Sequence, residues 1–142
     1  LPERYGLNLK GRALKTYAPA MKKLSFERIM KESGPCRLLS GIYHFHVDLY
    51  GSFIPQSCPG LAIPLTELVH GADPGKYRIF YSLETEGIKG LIELAQKEYG
   101  YKPGAEYAGK CGLCYDIRNY LVLELGLDLP DLKPEGHYRY LR

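Results

Sequence analysis

Four cysteines, Cys36, Cys58, Cys111 and Cys114, set the strongest constraint on this chain, because separations of 22, 53 and 3 residues leave only the last two as neighbours. Folding alone can bring all four to one site. The stretch GKCGLCYDIRNYL, residues 109 to 121, places Cys111 and Cys114 where a helical pattern begins, in the C-x2-C spacing that turns two sulfurs toward one ion. Gly109 and Gly112 leave room for the backbone to wrap closely. The amino end of the helix is expected to favour the thiolate form of both cysteines. Cys36 and Cys58, each beside a proline, flank a predicted hairpin whose ends would bring them together. Four thiols suffice to close a tetrahedral zinc site or to hold a four-iron cluster. A Cys36–Cys58 disulfide and ordinary buried thiols stand as the alternatives.

A length of 142 residues with 45% hydrophobic content is enough for one domain with a real core. The expected organisation is a single domain, 1–142, with a basic helical arm (1–35), a cluster-binding hairpin and helical core (36–125) and an irregular tail (126–142). The expected class is α+β, a small β-hairpin packed on three to five helices with a cysteine-ligated centre near the hairpin ends. No apolar run approaches a membrane span, so a cytoplasmic protein with no membrane partner is expected. The net charge of +3 is uneven: residues 1 to 31 carry eight basic side chains, from Arg4 to Lys31, against Glu3 and Glu27. This arm reads as a solvated helical face or as a docking surface for another domain, and no nucleic-acid partner is expected.

Local signals place the elements. Ser25 is a predicted helix cap, with Leu24 and Ile29 positioned as a hydrophobic staple, and Gly34 and Pro35 end that helix. Asp73 and Pro74 predict the start of a helix that Gly87 closes, and Ile88 to Tyr99 predicts a second, followed by Gly100. A third starts near Cys111, with Leu113, Ile117 and Leu121 on one face. In the predicted strand, Tyr43, Phe45, Val47 and Leu49 alternate with His44, His46, Asp48 and Tyr50. The first set is expected to face the core. The polar set is read as a hydrated face, as a surface toward substrate or metal centre, or as an H-x-H metal site of hydrolase type. Arg118, one helical turn beyond Cys114, is placed to offset the charge of a thiolate-rich centre.

The pattern from Cys36 through Gly51 to Cys58, followed by C-G-L-C, resembles the auxiliary-cluster module, of SPASM or twitch type, of radical S-adenosylmethionine enzymes. FHVDLYGSFIPQSCPGLAIP and EYAGKCGLCYDIRNYL are similar to the C-terminal part of an uncharacterised group of those enzymes, and the likeness covers about residues 30 to 125. It implies one [4Fe-4S] cluster on Cys36, Cys58, Cys111 and Cys114, with zinc as the alternative occupant. The C-x3-C-x2-C motif of the catalytic cluster is absent from this sequence. The resemblance therefore implies an accessory domain, not catalytic alone, that works with a radical S-adenosylmethionine barrel in the same or another chain on an unidentified substrate. A zinc-stabilised protein-interaction module is the rival reading, and a hydrolase built on His44, His46 and Asp48 is a third.

Overall fold

The structure, a computed structural model, describes residues 10–39, 43–56 and 58–140. Arg4 and Glu3 of the basic arm lie outside them. In chain order the elements are α1 (Arg12–Tyr17), a 3-10 turn (Ala18–Ala20), β1 (Leu24–Ser25), α2 (Phe26–Glu32), β2 (Phe45–Val47), β3 (Ser52–Pro55), β4 (Ile63–Pro64) and α3 (Leu65–Val69). There follow α4 (Arg78–Thr85), α5 (Ile88–Tyr99), β5 (Glu106–Tyr107), α6 (Gly109–Asn119), a π turn (Tyr120–Glu124) and α7 (Glu135–Arg139). The class is α+β, with seven α-helices among the described residues instead of three to five.

The core is helical. Ile88, Leu91, Ile92 and Ala95 line the inner face of α5, and Leu113, Ile117 and Leu121 continue it along α6 and the π turn, all buried. Each buried Leu or Ile of this set contributes about 1.5–3 kcal/mol by leaving water, and Ala95 less. Gly87 and Gly100 bracket α5 as its spacing predicts; Gly100 takes the left-handed conformation and donates to the carbonyls of Ala95 and Gln96. Helix α2 is capped by Ser25, whose hydroxyl accepts from the Arg28 amide at 3.3 Å. Helix α4 starts later than predicted. Asp73 closes a turn by accepting from the Gly75 amide at 2.8 Å. The carboxylate that meets the first turn of α4 is Asp131, from the far end of the chain, accepting from Phe80 N at 2.9 Å.

One glycine governs how the loop before Cys36 meets the helices. Gly87, at the corner between α4 and α5, has φ 71° and ψ −146°. A Cβ there would lie 2.1 Å from the Gly34 carbonyl oxygen and 3.3 Å from Pro35 Cα. Backbone packs on backbone at this point, and the Cys36 amide then donates to the Leu83 carbonyl of α4 at 2.9 Å.

The hairpin exists: β2 and β3 pair antiparallel with Phe45 opposite Pro55 and Val47 opposite Phe53, and β3 pairs with β4. Its burial departs from expectation. Strand β2 is a sheet edge, and Phe45 and Val47 are 45% and 49% exposed, while Tyr43 and Leu49 are almost wholly so. Phe53, on the next strand, is the aromatic that enters the core. The alternation of β2 is real in sequence, yet no described element covers its apolar side.

The tail contains helix α7, which packs back on the domain and buries Tyr138 completely. It is not irregular throughout. A second, two-stranded ribbon joins β1 to β5, with Leu24 opposite Tyr107. Among the described residues no helix is long and apolar enough to cross a membrane.

Candidate functional site

All four cysteines line one cavity, of about 40 Å³, between α4, α5, α6 and the loops that hold Cys36 and Cys58. The remaining wall is Lys10, Leu39, Leu61, Leu83, Ile88, Lys110, Tyr115 and Arg118. Each thiol is free and half-buried, so the Cys36–Cys58 disulfide is not formed. Different local devices deliver the four side chains. Cys36 is held by the hydrogen bond its amide donates to the Leu83 carbonyl, and Cys58 by a turn in which its amide donates to the Pro55 carbonyl at 3.1 Å. Cys111 and Cys114 lie in the first two turns of α6, which begins at Gly109. The C-x2-C pair thus approaches from one helix, and the lone cysteines from two loops.

The electrostatics differ from the expectation of ready thiolates. Burial pushes the Cys114 thiol up to about 12, against the opposing pull of Arg118. Burial likewise raises Cys36, opposed by Lys110, and Cys58, opposed by Arg118 and Lys10. Cys114 is in the second turn of α6, where desolvation outweighs the helix amino end. Burial therefore makes Cys36, Cys58 and Cys114 hold their protons more firmly than free thiols do, and a cation or cluster must displace those protons to bind.

Arg118 is the least expected member. Its side chain is only 1% exposed, and among the described residues it forms no ion pair with a carboxylate. Its Nη1 donates to the Pro59 carbonyl at 3.3 Å and to the Tyr138 hydroxyl at 3.4 Å. The guanidinium stacks 4.2 Å from the centre of the Tyr115 ring, and its Nε is buried without a hydrogen-bond partner. A buried cation left without an anion is costly, by several kcal/mol in general. The ionisable groups whose negative charge would act on it are Tyr138, Cys114, Tyr115 and Cys58, and the buried Asp131 carboxyl also feels its charge.

Tyr115 and Tyr138 steady this arrangement. Tyr115 donates to the Pro59 carbonyl at 3.0 Å and accepts from the Gly11 amide at 3.1 Å; Tyr138 donates to the Gly60 carbonyl. The Cys58–Gly60 loop is therefore pinned from α6 and from the tail. Lys10 is brought to the rim by Gly11, whose Cα packs beside the Pro59 ring.

The polar strand residues are elsewhere. None of His44, His46, Asp48 and Tyr50 lines the cysteine cavity. His44 and His46 are exposed, with their rings edge to face at 5.0 Å. Asp48 shapes the hairpin: its Oδ1 accepts from the amides of Tyr50 and Ser52, both at 2.9 Å. Of the residues singled out from sequence, the fold thus unites the four cysteines and Arg118. Lys10, Lys110, Tyr115 and Tyr138 had not been singled out. Lys110 and Tyr115 each adjoin a cysteine, which is a signal of sorts, whereas Lys10 and Tyr138 are remote and give none.

Among the described residues no three Cys, His, Asp or Glu side chains are gathered closely enough to hold a metal ion as they stand. The thiols surround a small space without converging on a point. Zinc draws its sulfurs to about 2.3 Å from one centre, and a four-iron cube, being larger, keeps its cysteine ligands farther apart. The donor set, four thiols with a buried guanidinium and a wall that is apolar apart from Lys10, Lys110 and Tyr115, suits a cysteine-ligated cluster. Comparison with family models, with curated proteins and with solved structures gave no match.

Proposed function

We propose that this chain is an iron-sulfur accessory domain in which Cys36, Cys58, Cys111 and Cys114 hold one auxiliary [4Fe-4S] cluster. Its role is electron transfer to, or anchoring of, a substrate handled by a radical S-adenosylmethionine barrel in the same or another chain. The observation that carries the reading is the shared cavity: thiols from three separate segments line one space beside a buried arginine that has no carboxylate ion-pair partner among the described residues. When bound, the cluster supplies one-electron chemistry. The chain's own residues supply four ligands, a dry apolar wall in Leu39, Leu61, Leu83 and Ile88 that excludes water, and a fixed positive charge.

Metal and sulfide analysis of anaerobically prepared protein tests this. About four iron and four sulfide per chain are expected, as for one four-iron cluster. Each Cys→Ser variant should lose most of that iron, and Cys36→Ser should lose as much as Cys111→Ser. One zinc with no sulfide would instead identify the zinc-stabilised module. Full metal in Cys36→Ser and Cys58→Ser would end the four-ligand reading. Metal lost from a His44→Ala, His46→Ala double variant, with the cysteine variants intact, would return the site to the hairpin.

A further inference from the structure

Among the described residues the cavity wall contains three cations, Arg118, Lys10 and Lys110, and no carboxylate. They differ in setting: Arg118 is buried, Lys10 half-buried and Lys110 exposed. Neither lysine has an ion-pair partner among the described residues, whereas Lys23, Lys76 and Lys133 each do. The hairpin histidines contribute nothing to this wall. A four-iron cluster with four thiolates carries roughly two net negative charges when oxidised and three when reduced. Fixed positive charge close by therefore favours the reduced form, and does so more strongly where water is excluded.

We infer that Arg118, Lys10 and Lys110 form a cationic collar that holds the charge of the cysteine-bound centre and raises its reduction potential, with the buried arginine as the permanent member and the two lysines as members that salt can screen. This rests on the four-cysteine cluster of the proposed function. These are positioning and tuning residues, not ligands. The step concerned is the transfer of one electron from a reductant such as dithionite to the oxidised cluster, with no bond made or broken. Screening separates the members, because a charge without solvent contact keeps its field in salt while an exposed one loses it beyond a Debye length of about 3 Å at 1 M. A partner with an acidic face that covered the rim would act as salt does, weakening the lysine contribution alone.

Spectroelectrochemical titration of the loaded protein tests the inference, with iron and sulfide measured on every sample. Arg118→Gln should shift the reduction equilibrium toward the oxidised form by about tenfold, a fall of about 59 mV for one electron, equally at low and high salt. Lys10→Gln and Lys110→Gln should each shift it by about two- to fivefold at low salt, with most of that gone at 1 M salt. Arg118→Lys should restore most of the potential, and His46→Ala should leave it unchanged. If Arg118→Gln does not fold, the lysine variants decide: a potential unmoved at low salt overturns the collar. A wild type that takes up no iron overturns the proposed function and this inference with it. A loaded wild type whose potential ignores all three charges overturns the inference alone.

Discussion

Replacing Gly87 with alanine perturbs the corner on which the delivery of Cys36 depends. Two costs follow from the geometry. The backbone at φ 71° and ψ −146° lies in a region reserved almost wholly for glycine, and holding another residue there costs on the order of 1–3 kcal/mol. The new methyl group would also meet the Gly34 carbonyl oxygen at 2.1 Å and its carbon at 2.8 Å. Those are backbone atoms, so relief means moving the 34–36 loop off α4, at about 1–3 kcal/mol for an overpacked contact. Together the loss is about 2–6 kcal/mol, a large part of the 5–15 kcal/mol typical of a domain. With a urea slope of about 2 kcal/mol per molar, the unfolding midpoint should fall by about 2 M. Gly100→Ala is the matched control: φ is 68° but nothing lies within 4 Å of the added carbon, so only the left-handed cost of about 1–2 kcal/mol applies. In metal-free protein, Gly87→Ala should also raise the reactivity of Cys36 toward a thiol reagent, since the hydrogen bond from its amide to the Leu83 carbonyl goes with the loop. Equal midpoints for the two variants, with Cys36 reactivity unchanged, would refute the argument from the close approach.

Two further outcomes follow from burial. Phe45→Ala should cost under about 1 kcal/mol, as expected for an exposed edge position, while Phe53→Ala should cost about 3–5 kcal/mol as a core aromatic; unfolding midpoints of the pair check this. His137, held to about 4 by burial and by the nearby Arg118 charge, binds its proton less readily folded than unfolded. Its contribution to stability is therefore complete above about pH 6.5, declines as pH falls through that range toward 4, and is absent below. Relative to His137→Phe the wild type should lose stability as pH falls through that window, and a constant difference from pH 7 to pH 4 would contradict the assignment.

The contrast between α5 and β2 explains what could be read in advance. Ile88 to Tyr99 carries its whole specification locally: apolar residues at helical spacing, a glycine at each end, and a face broad enough to reach the core whatever covers it. Strand β2 carries an equally clear alternation, but alternation states only which side chains share a face. Whether Phe45 and Val47 are covered depends on what packs over the edge of the sheet, and that information is not in their own segment. The start of α4 failed for a related reason, since Asp73 has the composition of a cap while Asp131 has the position. The cysteine set was legible because cysteine is scarce and C-x2-C is specific. The collar was half legible: Arg118 was placed one turn from Cys114 by helical spacing, but its complete burial depends on Tyr138 from the tail, 20 residues further along the chain.

The order in which the cavity walls leave the ribosome has its own consequence. Lys10, Cys36 and Cys58 are synthesised well before the C-x2-C pair, which follows Cys58 by 53 residues. At about 5–20 residues per second, Cys58 waits for roughly 3–10 s, and Cys36 longer, without the helix that completes their site. During that interval they are exposed to oxidation and to adventitious metal. A scaffold that delivers an intact cluster has no complete receptor until α6 has emerged, and Tyr138 reaches Gly60 and Arg118 only after the tail has followed. A cluster bound as proposed could load only once α6 is made, and arrest of the nascent chain between residues 60 and 110 is expected to yield a polypeptide that accepts no cluster however much is supplied.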